Sequence, residues 1–116
     1  MEKWADGLKD VAITITDEKG DFIDMNFHSK EVNLKSMDEN IIGKNIMGCH
    51  NERSQAIINN MLKNNVQNVY TITKKGQKKL IYQSPWYKED GSFGGLAELS
   101  LVIPEEMPHY NRDKQE

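Results

Sequence analysis

One amphipathic helix is predicted in the middle of a chain whose other regular segments have the pattern of strands. After Ser54 the apolar residues recur with the i, i+1, i+4, i+5 spacing that places them on one stripe of a helix. They are Ile57, Ile58, Met61 and Leu62. Asn51 is the expected N-cap, and Glu52 in the first turn suits the helix dipole. Because a lone helix cannot bury such a stripe, we expect it to lie against a sheet.

A first β-hairpin is predicted before this helix. Val11–Thr16 alternates apolar and polar residues, and residues 17–20 have the turn chemistry to reverse the chain into a second strand at residues 21–26. Residues 27–37 mix apolar and polar side chains with no clean period, which favours short helical turns over a strand. We therefore expect an irregular helix between the hairpin and the central helix.

Three further strands are predicted after the central helix, at residues 66–73, 79–87 and 95–103. The turns between them, at residues 75–77 and 89–92, each contain the glycine that a hairpin reversal favours. Their spacing predicts an antiparallel meander.

Two features of these strands predict local geometry. Pro85 cannot donate a ladder hydrogen bond, so we expect it at a bulge, a strand end or an unpaired edge. In the last strand one alternating set of residues is uniformly apolar, and that set is expected to face the core. It consists of Ala97, Leu99, Leu101 and Ile103.

Length and composition are typical of a single domain. The chain has 116 residues, for which we expect a helical turn at residues 1–10, one domain at residues 11–103 and a linker or tail at residues 104–116. Its single cysteine, Cys49, excludes an internal disulfide. No apolar run approaches the length of a membrane span or a signal core, so we expect a soluble, cytoplasmic protein without a membrane partner.

The net charge and the first helical turn each indicate which partners the chain can bind. The net charge of −3 mixes both signs along the chain, so no basic field is available for a phosphate backbone and no nucleic-acid partner is expected. Trp4 and Leu8 are spaced for one short helical turn. Such a turn cannot bury Trp4, which should pack on the domain or on a second copy of it.

The predicted element order is that of an α+β fold, with a five-stranded antiparallel sheet carrying short helices and one longer helix on one face. In this order, residues 11–103 resemble the PAS domain family. Residues 13–26, ending in Asn26, look like the family's opening hairpin; residues 42–45 (Ile-Gly-Lys-Asn) resemble the turn before its F helix, and residues 87–96 its last hairpin. The resemblance implies a sensory and partner-binding module that often holds haem, flavin or a small metabolite between sheet and helices.

His50 is the first candidate for a ligand-binding side chain. Haem-binding members of the family supply an iron ligand from the F helix, and the central helix here resembles that helix. His50 precedes the first turn of this helix. It could therefore either cap the helix by hydrogen bonding or bind a metal. Residues 49–54 (Cys-His-Asn-Glu-Arg-Ser) are also similar to a Cys-His-Pro-x-x-Ser pattern in the PAS module of certain bacterial haemerythrin-like proteins, from which Asn51 departs.

A flavin adduct and enzymatic chemistry are both disfavoured. Flavin-adduct PAS domains have a cysteine directly after a Gly-Arg/Lys-Asn sequence, whereas here residues 43–45 (Gly-Lys-Asn) are followed by Ile46. Cys49 is better explained as a small buried hydrophobic residue. Cys49 and His50 are adjacent, so their side chains do not normally point at each other, and no third orienting group is evident. We therefore expect no catalytic residues.

Aromatic residues cluster in the last three strands, where they could line a pocket for a planar ligand or pack as core. Tyr82 and Trp86 share strand parity and are expected on one face. Met25, Met47 and Met61 offer an adaptable lining or fill gaps. The candidate cofactor-binding residues are therefore His50, Ile57, Met61, Tyr82 and Trp86.

Two interpretations of function follow. In the first, the chain is a sensory domain that binds a small organic ligand or cofactor, haem included, between helix and sheet and relays occupancy to a signalling partner or a second copy. In the second, it binds no ligand and serves as a dimerisation or docking module through Trp4 and the outer face of the sheet. Both interpretations are consistent with the PAS resemblance. The first requires space for a ligand between helix and sheet, whereas the second predicts that side chains fill this space.

Overall fold

The computed structural model describes residues 1–34, 36, 39–49 and 52–114. Its helices are α1 (Lys3–Asp6), α2 (Phe27–Asn33) and α3 (Glu52–Asn64), with short 3-10 turns at Ile46–Cys49 and Arg112–Lys114. Its strands are β1 (Val11–Thr16), β2 (Phe22–Met25), β3 (Asn68–Lys74), β4 (Gln77–Tyr87) and β5 (Phe93–Ile103). The predicted N-cap Asn51 and the predicted end of the irregular helix at Met37 lie outside the described residues.

The five strands form one antiparallel sheet in the order β2-β1-β5-β4-β3. The meander β3-β4-β5 brings β5 back to the centre, where it pairs with β1 and sets Thr14 opposite Glu98. On one face of the sheet, Ile58 and Met61 of α3 pack on Leu96 of β5. The predicted α+β fold is confirmed. None of the helices in the described part of the chain is long and apolar enough to cross a membrane.

Pro85 lies where the sequence places it. β4 pairs with β5 along its whole length, but β3 covers β4 only as far as Gln83. Pro85 therefore belongs to a stretch of β4 with an unpaired outer edge, where its missing N–H leaves no ladder bond unmade. The register shifts just beyond it, between Trp86 and Tyr87.

The predicted core face of β5 is wrong. Leu96 and Glu98 face α3, whereas the uniformly apolar set lies on the opposite face and is only half-buried. That set is Ala97, Leu99, Leu101 and Ile103. Uniform apolarity marks a face that avoids water, but it does not say which element covers that face. The helix instead covers the face that carries both Leu96 and polar side chains.

Asn26 ties the hairpin to both of the helices nearest it. Its side chain is fully buried; Oδ1 accepts from the Ser29 N–H at 3.0 Å, capping α2, and from the Ile13 N–H at 2.9 Å. Its Nδ2 donates to the carbonyl oxygens of Ala5 in α1 at 2.9 Å and of Val11 in β1 at 2.8 Å. Because every polar position of this amide has a partner, Asn26 fixes how β1, α1 and α2 meet.

The segment leading towards α3 is held against β2. Phe22 exchanges backbone hydrogen bonds with it, donating to the Lys44 carbonyl at 2.9 Å and accepting from the Gly43 N–H at 2.7 Å. Asn45 reinforces this contact, because its Nδ2 donates to the Lys19 carbonyl and to the Asp21 carboxylate, each at 2.9 Å. These bonds place the beginning of the helical layer at the hairpin edge of the sheet.

Trp4 is 69% exposed, although its neighbour Ala5 is fully buried. The domain therefore does not bury the indole. Packing of Trp4 on a second copy stays a prediction.

Candidate functional site

A cavity of about 270 Å³ lies between α3 and the face of the sheet that α3 covers. We call this the inner face. Strands β1, β2, β4 and β5, helices α2 and α3, and the segment before α3 all contribute to its wall. The lining residues are Thr14, Thr16, Phe22, Met25, Asn33, Ile41, Ile46, Ile58, Met61, Gln83, Leu96, Ala97 and Glu98. An apolar wall with a few convergent polar groups is typical of a small-molecule site.

One edge of the cavity is a directed hydrogen-bond chain across three strands. The Asn68 amide donates to Gln83 Oε1 at 2.8 Å, and Gln83 Nε2 donates to Glu98 Oε2 at 2.7 Å. The three residues are cross-strand neighbours on the inner face, as the register of β3, β4 and β5 requires. The Glu98 carboxylate is the final acceptor of this chain.

A second polar group borders the cavity at α2. Thr14 Oγ1 and Ser29 Oγ share a hydrogen bond of 2.6 Å, and Asn33 Nδ2 donates to Ser29 Oγ at 3.1 Å. Ser29 is fully buried, so its two partners satisfy a hydroxyl that would otherwise be costly to desolvate. These contacts attach α2 to β1 and leave Thr14 and Asn33 in the wall of the cavity.

A smaller cavity of about 120 Å³ adjoins the first and shares Ile58, Gln83 and Glu98 with it. Tyr70 lines this second cavity. Partial burial, and then the negative charge of Glu98, raise the pKa of the Tyr70 phenol above its ordinary value. The Glu98 carboxylate therefore acts electrostatically on both cavities.

The structure brings some of the predicted site residues to the cavity and leaves others away from it. Met61 lines the larger cavity. Ile57 is 41% exposed and, of the two cavities described above, lines only the smaller one. Tyr82 pairs with Leu99 on the opposite face, and its hydroxyl accepts from Gln67 Nε2 at 2.8 Å.

Trp86, the other predicted aromatic of the site, is also absent from the lining. Its indole covers Gly94, where an added Cβ would lie within 2.3 Å of the ring, and its Nε1 donates to the Thr16 carbonyl at 2.9 Å. Tyr82 and Trp86 therefore do not line this cavity, and their role in ligand binding stays a prediction. His50, the predicted metal ligand, lies outside the described residues.

Sequence reasoning missed the polar edge of the cavity. Glu98 is the only charged residue within β5, and Gln83 stands opposite it in β4. A charge in the middle of a central strand is an expensive placement, and that cost was the available signal. Met25, by contrast, was predicted as an adaptable lining residue and does line the cavity.

Haem and flavin do not suit the cavity as it stands. A volume of about 270 Å³ lies below the roughly 300 Å³ at which pockets for drug-sized ligands begin, and both cofactors are larger than such ligands. The described lining also includes no histidine. Within the described residues, no group of three or more His, Cys, Asp or Glu side chains could hold a metal ion. The site as described suits a smaller organic molecule.

No family model and no curated protein matches this sequence. Solved structures do match it. The PAS domain of the histidine kinase ThkA has a TM-score of 0.64, with 16% identity over 79% of this chain and 98% of that chain. The PAS domain of BvgS from Bordetella pertussis has a TM-score of 0.61, with 16% identity over 88% of this chain and 82% of that chain.

A third match is the Aer2 receptor from Vibrio cholerae, described as a dual PAS-heme oxygen sensor. Its TM-score is 0.56, with 18% identity over 81% of this chain and 95% of that chain. The chain therefore has the PAS fold, and the predicted resemblance to PAS domains is confirmed at the level of the fold.

Proposed function

We propose that the chain is a sensory domain that binds a small organic ligand in the cavity beneath α3. The observation that carries this proposal is the cavity itself, about 270 Å³ of space with an apolar wall and polar groups at two of its edges. A core built only for stability would fill such a volume, because voids cost stability. The PAS fold of sensor kinases and receptors supports the sensory role.

Occupancy would be relayed by a population shift. A ligand that prefers one arrangement of α3 against β5 biases the domain by its differential affinity for that arrangement. Helix α3 contacts the sheet through few residues, chiefly Ile58 and Met61 on Leu96, so its position is easily altered by what lies beneath it. The signal then passes to a partner protein, to a second copy, or to further sequence of a longer polypeptide in the cytoplasm.

We assign the site binding rather than catalysis. Glu98 is the only ionisable side chain in the described lining of the cavity, and general acid-base or nucleophilic chemistry ordinarily needs a second group to orient or accept a proton.

The test is native mass spectrometry of the purified protein, with Ile41→Trp as a variant that fills the cavity. Ile41 lines the cavity in a segment without regular structure, while its neighbour Ile42 is 48% exposed and does not line it, so Ile42→Trp is the matched control. We expect added mass, or thermal stabilisation by a compound from a metabolite library, in wild type and Ile42→Trp but not in Ile41→Trp. Wild-type protein that carries no added mass and responds to no compound would contradict the proposal.

An absorption spectrum separates the haem version. A Soret band that His50→Ala abolishes would replace the metabolite by haem and require the cavity to widen. We expect a protein without a Soret band.

A second candidate function, dimerisation, rests on the other face of the sheet, which we call the outer face. Aliphatic side chains of β1, β4 and β5 lie there half-buried. They are Val11, Ile13, Ile15, Leu80, Leu99, Leu101 and Ile103. On the same face the register also places Lys78 beside Ile103 and Asp24 beside Ile15. Two copies could bury the aliphatic set face to face in a twofold contact.

Sedimentation velocity of Leu99→Glu tests this second candidate. A charge at the centre of the outer face should convert a dimer to a monomer, whereas Glu89→Gln in the exposed β4–β5 turn should leave the dimer intact. A wild-type protein that stays monomeric at about 100 μM would exclude a stable dimer of the kind an interface of standard size forms.

A further inference from the structure

Glu98 has an incomplete set of partners. Among the described residues, ion pairs join only the N-terminus to Asp24 and His28 to Glu31, so no cation pairs with the Glu98 carboxylate. Gln83 donates to Oε2, and no described group donates to Oε1. A carboxylate at the wall of a largely apolar cavity is costly unless a donor or a cation satisfies it.

The hydrogen-bond chain through Gln83 does not supply that cation. The Asn68 amide donates to Gln83 and the Gln83 amide donates to Glu98, so both donors of the chain are neutral amides. The chain orients the carboxylate and holds one of its oxygens, but the negative charge remains. That charge reaches Tyr70, where, after burial, it contributes to raising the pKa of the phenol.

We propose that the ligand of this cavity carries a primary ammonium group on a compact apolar body, and that Glu98 binds the ammonium. This inference rests on the proposed function, since it names the ligand class for the same cavity. The ammonium donates to Oε1, the oxygen that Gln83 leaves without a donor, while the apolar body lies against Ile58, Met61 and Leu96.

The same geometry disfavours an anionic ligand. A carboxylate or phosphate in the cavity would face the Glu98 charge at close range, and no described Lys, Arg or His lines the cavity to offset the repulsion. A neutral alcohol would meet the hydrogen-bonding need of Oε1 but would leave the charge unpaired. Charge-assisted hydrogen bonds are stronger than neutral ones, so the cavity should prefer the cation.

The experiment compares three probes with the same ring and different head groups: benzylamine, benzyl alcohol and benzoate. Each is titrated at pH 7 into the full chain, and binding is followed through the methyl resonances of Ile58 and Met61. We expect benzylamine to bind about tenfold more tightly than the alcohol and the acid, a difference of about 1.4 kcal/mol. Glu98→Gln should remove about tenfold of the benzylamine affinity and leave the benzyl alcohol affinity within about twofold.

Glu89→Gln, in the exposed turn before β5, is the matched control and should change none of the three affinities. Unchanged binding of benzyl alcohol to Glu98→Gln shows that the variant keeps its fold and its cavity. Benzoate or benzyl alcohol binding as tightly as benzylamine, or benzylamine binding equally to Glu98→Gln, would overturn the ammonium proposal while the cavity function stands. If none of the three probes shifts the methyl resonances, both proposals fail.

Discussion

At the centre of the sheet, several polar side chains lie on the face that α3 covers, and aliphatic side chains lie on the other face. The inner face, which α3 covers, includes Thr14, Gln83 and Glu98 at its centre. The outer face presents their aliphatic neighbours Ile13 and Leu99. An antiparallel sheet with one wet face ordinarily buries the aliphatic side and exposes the polar one.

This difference indicates that neither face is arranged only for the stability of an isolated domain. Polar groups beneath a helix are useful when something with complementary chemistry enters the space between them. Half-exposed aliphatic groups in a row are useful when another surface covers them. The inner face is therefore our candidate for recognition of a ligand, and the outer face for contact with a second copy.

The largest expected effect is on the polar junction at the inner side of the first hairpin. Asn26→Ala removes four hydrogen bonds and the N-cap of α2, leaving the Ala5 carbonyl and the Ser29 N–H, both buried, without their side-chain partner. We expect a loss of roughly 3 kcal/mol or more in the free energy of unfolding, measured by urea denaturation. A loss below about 1 kcal/mol would show that the buried polar groups of this side contribute little to stability.

Matched truncations on the two faces give the next largest effect. Met61→Ala removes a buried side chain beneath α3 and should cost about 2 to 5 kcal/mol, while Leu99→Ala on the outer face should cost about 1 kcal/mol in the monomer. Urea denaturation at low micromolar concentration measures both. If the loss of stability caused by Leu99→Ala depends on protein concentration, the outer face is covered by a second copy, because dimerisation makes stability depend on concentration. Equal losses of stability for the two variants, with no dependence on protein concentration, would contradict the proposed difference between the two faces.

The smallest expected effect is a pH dependence at Tyr70, on the inner face beside Glu98. Because burial and Glu98 raise the pKa of the folded-state phenol, the folded protein holds this proton more tightly than the unfolded chain. The resulting stabilisation is complete below the ordinary tyrosine pKa of about 10 and is lost as pH rises through the higher folded-state value. Tyr70→Phe should therefore lose less stability than wild type as the pH rises above about 10. Identical pH profiles would contradict the placement of Tyr70.

Much of the fold could be predicted from sequence because it depends on local patterns. The stripe at Ile58 and Met61 gave the helix, and glycine-containing turns gave the hairpins within two residues of their observed ends. The PAS fold followed from the order of these elements. What periodicity cannot supply is the side of the sheet on which a helix lies, and that choice depends on long-range contacts such as Met61 with Leu96.

The candidate site was predicted less well for the same reason. Tyr82 and Trp86 were selected as large aromatic residues of one parity, and that parity is the outer one. Glu98 was passed over because the apolar residues beside it in β5 suggested a core-facing strand of the opposite parity. Only the register that sets Gln83 beside Glu98 shows that the polar side chains share one cavity.

Xenon binding tests most directly whether the inner face encloses usable space and the outer face does not. Xenon enters apolar protein cavities without regard to the head group of any natural ligand. Under xenon pressure we predict shifts in the methyl resonances of Met25, Ile58 and Met61, which line the cavity, and none in those of Leu99 and Leu101. Unchanged methyl resonances of the three cavity residues, or shifts confined to the methyl resonances of Leu99 and Leu101, would contradict the account.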